Sequence, residues 1–220
     1  MARTLKFGRR AAQSGQPKSL VVFLHGYGSD GADLLGLTEQ LGSHLPDTSF
    51  VAPDAPERVP GAPSGYQWFS IPRFDGTSEE TMRAGLAKST EDLTEFLTQR
   101  ATYEKVPPQN VALLGFSQGA MMAMHVAPRL NTQIAAVIAI SGRLVEPERL
   151  EAEATSKPPI LLVHGTEDEV VPFGNMAFAG NELTRAGFNV YAHVMEGTDH
   201  SIAPDGLQTA LGFLDNFLPH

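Results

Sequence analysis

The chain has 220 residues, of which 42% are hydrophobic and 19% charged, and this length and composition suit one globular domain. It contains no cysteine, which excludes a disulfide framework, a thiolate metal site and a cysteine nucleophile. Its 16 basic and 25 acidic residues give a net charge of −9, and this acidic balance disfavours binding to nucleic acid.

Short apolar, β-branched segments alternate with longer amphipathic segments along the chain. The short segments predict buried strands over Ser19–His25, Ser49–Ala52, Asn110–Gly115, Ile134–Ile140, Ile160–His164 and Asn189–Met195. The longer segments predict helices over Asp30–Ser43, Ser78–Arg100, Ser117–Leu130, Asn175–Ala186 and Pro204–Phe217. Ser78 is expected to cap its helix and Gly187 to follow the end of another. This alternation predicts an α/β fold, with a mostly parallel central sheet covered by helices on both faces and a single domain over residues 1–220.

No segment has the character of a secretory signal or a membrane span. The basic residues near the N-terminus are not followed by an apolar stretch of signal-peptide type. The purest apolar run, Ile134–Ile140, has seven residues, whereas a transmembrane helix needs about 20. We therefore expect a cytoplasmic protein without stable insertion in a membrane.

A G-x-S-x-G motif lies between a predicted strand and a predicted helix. Gly115-Phe116-Ser117-Gln118-Gly119 follows the apolar run Val111–Leu114 and precedes the helical segment that begins at Ala120. This context is typical of a nucleophile elbow, in which a strained serine is held clear of the sheet and the glycines permit close backbone contacts. The alternative interpretation is a glycine-rich turn in which Ser117 only caps the helix.

His200 has the position expected of a general base. In enzymes with such an elbow the chain order is serine, then an acid, then histidine, each after a later strand. His200 follows the last predicted strand and precedes the last helix, on a loop rich in turn-forming residues. His164 and His193 fall within predicted strands, where we interpret them as structural histidines.

We expect the acidic residue to follow the predicted strand Ile160–His164, which comes before the last predicted strand. Three carboxylates compete there, Glu167, Asp168 and Glu169. We favour Asp168, because a short side chain in a turn can accept backbone hydrogen bonds and still present one oxygen to Nδ1 of His200. Spacing alone does not exclude the two glutamates.

The loop after the first predicted strand predicts an oxyanion hole. His25-Gly26-Tyr27-Gly28 resembles the glycine-rich loops that supply one backbone donor, and we assign that donor to the Tyr27 N–H. The second donor is expected to be the N–H of Gln118, directly after the nucleophile. The alternative is a glycine-rich loop that ends at a capping Asp30.

These motifs together resemble the phospholipase/carboxylesterase family of α/β-hydrolases, which includes the acyl-protein thioesterases. The matching segments are F-L-H-G-Y-G-S-D at Phe23–Asp30, W-F at Trp68–Phe69, G-F-S-Q-G-A at Gly115–Ala120, L-V-H-G-T-E-D-E-V-V-P at Leu162–Pro172, and G-T-D-H-S at Gly197–Ser201. The resemblance implies a small α/β-hydrolase without a large cap domain, serine esterase chemistry and no cofactor.

By the same resemblance, Ser117, Asp168 and His200 form the catalytic triad. Tyr27 and Gln118 then supply the oxyanion donors. The chain departs from the thioesterase branch at Tyr27, where leucine is usual, and at Thr198-Asp199, which replaces a more apolar pair. Both departures lie at the expected site, so the substrate of the thioesterase branch cannot be inferred for this chain.

The resemblance also places Trp68 and Val171 in the acyl-binding site. Trp68 lies in the proline-rich segment Pro53–Thr77, together with Tyr66 and Phe69. An irregular segment of this length is usually functional or disordered, and its aromatic residues favour an ordered loop. We therefore expect Trp68 beside Ser117 as one wall of an open, shallow groove; the alternative is that Trp68 only anchors the loop to the core.

The function expected from these residues is hydrolysis of short- to medium-chain carboxylic esters, with a small-molecule acyl ester as the partner. A thioesterase or lysophospholipase with the same triad is the alternative. A non-catalytic ligand-binding protein on the same fold is disfavoured by the intact set of three residues. Neither a metal nor a cofactor is expected, and the oligomeric state stays open, a homodimer included.

Overall fold

The computed structural model describes residues 1–219 and contains a seven-stranded sheet between two layers of helices. The strands of this sheet are β1 (Phe7–Arg10), β2 (Ser19–Leu24), β3 (Thr48–Pro53), β6 (Val111–Phe116), β7 (Ala136–Ile140), β8 (Ile160–Gly165) and β9 (Val190–Met195). A separate two-stranded pair consists of β4 (Glu57–Arg58) and β5 (Tyr66–Gln67). The helices are α1 (Gly31–Leu35), α2 (Thr38–Leu41), α3 (Pro72–Asp75), α4 (Glu79–Glu104), α5 (Gln118–Val126), α6 (Pro147–Glu153), α7 (Gly174–Arg185) and α8 (Pro204–Phe217).

The strand order of the large sheet is β1-β3-β2-β6-β7-β8-β9, and every neighbouring pair is parallel except β1 with β3. The predicted α/β fold with a mostly parallel sheet is therefore confirmed. The carboxyl ends of β6 and β8 lie at one edge of this sheet, where loops that follow parallel strands can bring their side chains together. The predicted domain, 1–220, ends outside the described residues, and its bounds stay a prediction.

Alternate residues of the central strands enter two hydrophobic cores on opposite faces of the sheet. In β2, Val22 and Leu24 belong to the core covered by α4, α5, α6 and α7. Val21 and Phe23 belong to the core covered by α1, α2 and α8. Both sets are fully buried, as expected for a parallel strand with helices on both faces, and this explains the unbroken apolar run.

Several elements differ from the prediction. The strand β1 was not predicted, because it is an antiparallel edge strand whose residues are mostly exposed and largely basic. The helix predicted over Asp30–Ser43 is interrupted around Gly36 and forms the two short helices α1 and α2. The helix α6 lies outside the predicted elements, and β7 begins at Ala136, two residues later than predicted.

The predicted helix ends are confirmed at two positions. The Ser78 side chain accepts a hydrogen bond from the Thr81 N–H at the start of α4. Gly187 has φ +84° after the end of α7, a left-handed conformation that favours glycine. Within residues 1–219, no helix combines the length and apolarity that crossing a membrane requires.

The helix α5 is buried along its whole length and carries a histidine into the interior. His125 is 5% exposed, and burial lowers its pKa from 6.5 to about 4, with the nearby Arg129 cation acting in the same direction. The folded state therefore keeps His125 neutral at pH values where the unfolded chain already protonates it. The pKa difference corresponds to about 3 kcal/mol of stability, present above pH 6.5 and lost as the pH falls towards 4.

We expect the free energy of unfolding of His125→Gln to depend less steeply on pH between 6.5 and 4 than that of the wild type. Urea denaturation at several pH values measures both slopes. His44→Gln, which changes an exposed histidine, is the control and should keep the wild-type slope. Equal slopes for His125→Gln and the wild type would contradict a neutral buried imidazole.

Candidate active site

Ser117 occupies a strained turn between β6 and α5, with φ 54° and ψ −117°. A Cβ on Gly115 would lie 2.3 Å from the Gly119 carbonyl oxygen, and one on Gly119 would lie 1.8 Å from the Leu24 carbonyl oxygen. Neither contact is sterically allowed, so both glycines are required by close backbone approach, as the motif predicted. The turn leaves Ser117 9% exposed at the carboxyl end of β6.

Three side chains from three loops form a continuous chain of hydrogen bonds. Oγ of Ser117 lies 2.9 Å from Nε2 of His200, and Nδ1 of His200 lies 2.7 Å from Oδ2 of Asp168. Because Nδ1 faces a carboxylate, it carries the ring proton, and Nε2 is then free to accept the Ser117 proton. The structure thus brings together all three residues that the sequence singled out.

The loop after β8 holds the Asp168 carboxylate in a buried position. Its Oδ1 accepts hydrogen bonds from the backbone N–H groups of Val170 at 3.0 Å and Val171 at 2.8 Å. The other oxygen faces His200, which is the arrangement expected for an acid in a turn. Glu167 and Glu169, the competing carboxylates, are exposed on the same loop.

The loop that carries His200 packs closely on the end of β8, because a glycine lies there. A Cβ on Gly165 would lie 2.2 Å from the Thr198 carbonyl oxygen and 2.7 Å from that of Asp199. The backbone of the loop before His200 therefore packs directly on this glycine. The Glu167 N–H donates to the Thr198 carbonyl and fixes the two loops to each other.

The glycine-rich loop after β2 runs beside the serine. A Cβ on Gly26 would lie 3.2 Å from the Ser117 Cβ, so the next residue, Tyr27, begins close to the Ser117 side chain. The loop is tied down by His25, whose Nδ1 donates to the Gly26 carbonyl and whose Nε2 accepts from the Ala55 N–H. Burial lowers the pKa of His25, in agreement with this neutral, doubly bonded ring.

The comparisons with known proteins identify the family of this chain. The model of the phospholipase/carboxylesterase family matches residues 10–218. The chain belongs to this family. It is a serine hydrolase with the α/β-hydrolase fold, as its resemblance implied.

Two relatives and one solved structure are similar to this chain over most of its length. The crystal structure of esterase PE8 is 43% identical, with a TM-score of 0.92, and the match covers 98% of this chain and 100% of PE8. Acyl-protein thioesterase 1 of Saccharomyces cerevisiae is 30% identical over 96% of this chain and 98% of its own length. Esterase YpfH of Escherichia coli is 28% identical over 92% of this chain and 84% of its own length.

The Gln118 side chain, in the family motif after the serine, binds the loop that follows β5. Its Oε1 accepts a hydrogen bond from the Trp68 N–H at 2.9 Å, and its Nε2 donates to the Phe69 carbonyl at 2.7 Å. The side-chain amide thus accepts from one backbone N–H of this loop and donates to one backbone carbonyl. The sequence analysis considered only the Gln118 N–H and missed this role of the side chain.

The expectation that Trp68 forms a wall of an open groove is wrong. Its side chain is fully buried, 0% exposed, and its Nε1 donates to the His25 carbonyl at 3.0 Å. Its carbonyl also accepts a hydrogen bond from the Ser89 hydroxyl in α4. From inside the core, Trp68 therefore connects the loop after β2, the turn at Ser117 and α4. This is the alternative in which Trp68 anchors its loop to the core.

Trp68→Ala is expected to lower the free energy of unfolding by about 3–5 kcal/mol, because it leaves a large cavity and removes a buried donor. Urea denaturation measures this loss. Phe74→Ala removes an aromatic side chain that is 50% exposed and is the matched control, with an expected change of about 1 kcal/mol or less. A Trp68→Ala protein as stable as the control would restore the groove interpretation.

An exposed aromatic residue, Phe74 in α3, lies instead against Tyr27. Its ring lies 5.6 Å from the Tyr27 ring, centroid to centroid. Asp75 fixes α3 by accepting hydrogen bonds from the N–H groups of Ile71 and Thr77, so Phe74 is held on a rigid turn. The side chain of Val171, the other residue assigned to the acyl site, is nearly buried, and its contact with substrate stays a prediction.

Proposed function

We propose that the protein is a serine carboxylesterase that hydrolyses short- to medium-chain carboxylic esters through an acyl-enzyme on Ser117. The observation that carries this proposal is the hydrogen-bonded chain from Ser117 Oγ through His200 to Asp168, with distances of 2.9 and 2.7 Å. This is the arrangement needed to activate a serine hydroxyl at neutral pH.

The first half of the reaction acylates the serine. Oγ of Ser117 attacks the ester carbonyl while Nε2 of His200 takes its proton, and the Asp168 carboxylate stabilises the imidazolium. The tetrahedral intermediate collapses when His200 passes the proton to the leaving alcohol. In the second half, water attacks the acyl-enzyme with His200 again as the base, and Ser117 recovers its proton when the carboxylic acid leaves.

The oxyanion is proposed to bind to the backbone N–H groups of Tyr27 and Gln118. Gln118 is the first residue of α5, so its N–H has no acceptor within the helix. The close approach of Gly26 to Ser117 supports the placement of the Tyr27 donor. Two preorganised donors of this kind are typically worth about 3–4 kcal/mol each in the transition state.

A carboxylic ester is favoured over a thioester by the relatives, because the esterase PE8 is 43% identical and the thioesterase of S. cerevisiae is 30% identical. Acyl-protein thioesterase activity, through the same three residues, is the second candidate, and that yeast relative is the observation in its favour. Lysophospholipid hydrolysis stays a further alternative, although the net charge of −9 does not favour anionic membrane surfaces.

A substrate panel tests this assignment. The purified chain is assayed on p-nitrophenyl esters from acetate to dodecanoate, on acyl thioesters of matched chain length and on lysophosphatidylcholine. We expect kcat/KM to be highest for an ester of short or medium chain length. Higher values for the matched thioester would support the second candidate, and no turnover together with no labelling by a fluorophosphonate would overturn both.

The acyl group is proposed to lie against the exposed face formed by Tyr27 and Phe74. Each methylene buried there contributes about 0.8 kcal/mol, or about fourfold in kcat/KM, until the chain extends beyond Phe74. We expect Phe74→Ala to lower kcat/KM for octanoate esters roughly tenfold more than for acetate esters. Equal losses at all chain lengths would show that Phe74 does not contact the acyl chain.

A further inference from the structure

The loop that carries Asp168 is closed by a second histidine, His164, at the end of β8. His164 is 2% exposed, and its Nε2 lies 2.8 Å from the Val171 carbonyl oxygen, so it bridges the two ends of the loop. The same nitrogen lies 3.3 Å from Oδ2 of Asp168. The His164 ring also packs edge-to-face on Phe173, at 6.1 Å between centroids.

The two groups that face Nε2 of His164 show that this nitrogen carries a proton. A carbonyl oxygen and a carboxylate oxygen are both acceptors, so Nε2 must carry a proton to contact them. This N–H is hydrogen-bonded to the Val171 carbonyl, and the Asp168 carboxylate lies near it, at 3.3 Å, where it is attracted electrostatically. The Asp168 side chain is 0% exposed, and a buried carboxylate depends on every such donor for its stability.

We propose that His164 is a positioning residue that holds Asp168 in the orientation needed by His200. It acts on Oδ2, the oxygen that faces His200 at 2.7 Å, through the electrostatic attraction of an N–H that lies 3.3 Å from it. It also acts on Oδ1 indirectly, because it holds the carbonyl of Val171, and the N–H of the same residue donates to that oxygen. This inference rests on the proposed function, since it assumes that Asp168 supports His200 as the base.

The test compares two substitutions of His164 on the full chain. His164→Phe keeps an aromatic ring and its contact with Phe173 but removes the donor. We expect kcat to fall about 10- to 100-fold, because both the hydrogen bond to the Val171 carbonyl and the attraction to the Asp168 carboxylate are lost. KM should stay within about twofold, because the buried ring touches no substrate. His164→Gln places an amide N–H near the same point, and we expect it to restore most of kcat.

A matched control and a double variant separate positioning from a structural role. His193→Phe changes a histidine in β9 that pairs with Asp205 and not with Asp168, and it should keep the wild-type kcat. In an Asp168→Ala background, adding His164→Phe should cause no further loss of kcat, because the group it positions is already absent. Rates are normalised to the folded fraction, and His164→Met replaces His164→Phe if the latter does not fold.

Two results would overturn the inference: wild-type kcat in the apolar variant, or a loss that adds in full to that of Asp168→Ala. Ser117→Ala is assayed in parallel as a test of the proposed function. Turnover by Ser117→Ala would show that the proposed nucleophile is wrong, and the inference would fail with it. Loss of activity in Ser117→Ala but not in His164→Phe would overturn the role of His164 alone.

Discussion

Ser117→Ala is expected to reduce ester hydrolysis by about 10⁴-fold or more while the fold is retained. The substitution removes the only atom that contacts Nε2 of His200 in the hydrogen-bonded chain. Alanine keeps the Cβ, so the strain at φ 54° is unchanged. The backbone hydrogen bonds from the Ser117 N–H to Ile140 and from the Met121 N–H to Ser117 are also kept.

The measurement is kcat/KM on the preferred ester, with the circular dichroism spectrum and melting temperature of both proteins. Ser201→Ala is the control, since it removes a serine hydroxyl one residue from His200 that donates to the Asp199 carboxylate within the same loop. It should keep nearly full activity. If Ser117→Ala retains more than a few per cent of wild-type turnover, another residue supplies the nucleophile and the elbow has been wrongly assigned.

The central strands could be predicted because their environment is uniform. Residues of β2, β6 and β8 are buried on both faces, so their sequences are mostly apolar and bounded by loops. The edge strand β1 lacks this signal, because one of its sides has no neighbouring strand and its side chains are mostly exposed. The pattern that predicts a buried parallel strand therefore cannot detect an antiparallel edge.

The positions of the candidate site residues could be predicted because steric contacts restrict which residues can stand next to them. Gly115 and Gly119 are required by contacts that a Cβ would make impossible, and such demands are visible in the sequence as a fixed spacing. The order of Ser117, Asp168 and His200 follows from the order of the parallel strands. Once the sheet is predicted, the loops at its carboxyl edge are the only places for these groups.

The roles of Trp68 and His164 could not be predicted from the residues themselves. An aromatic residue in a long loop has the same sequence signature whether it faces substrate or fills the core, and only the tertiary fold shows that Trp68 is buried. A histidine within an apolar strand was interpreted as structural, but which loop its ring contacts depends on the turn that follows. For His164 that turn brings Asp168 and Val171 back against the ring.

Asp168→Asn is expected to lower kcat by about 10⁴-fold through the wrong tautomer of His200. The N–H groups of Val170 and Val171 require an acceptor at Oδ1, so the amide oxygen of the new side chain takes that position. Its NH₂ group then faces Nδ1 of His200, which must become an acceptor. The ring proton moves to Nε2, where it blocks acceptance of the Ser117 proton.

The same NH₂ group also faces the N–H of His164, so two donors meet at the point that Oδ2 now occupies. We therefore expect Asp168→Asn to lose some stability as well, which a melting curve measures separately from kcat. Glu167→Gln and Glu169→Gln are the matched controls, because they neutralise exposed carboxylates on the same loop and should keep nearly full activity. If either glutamine variant is the inactive one while Asp168→Asn retains turnover, the acid that supports His200 is not Asp168, and the buried carboxylate serves only to hold the loop.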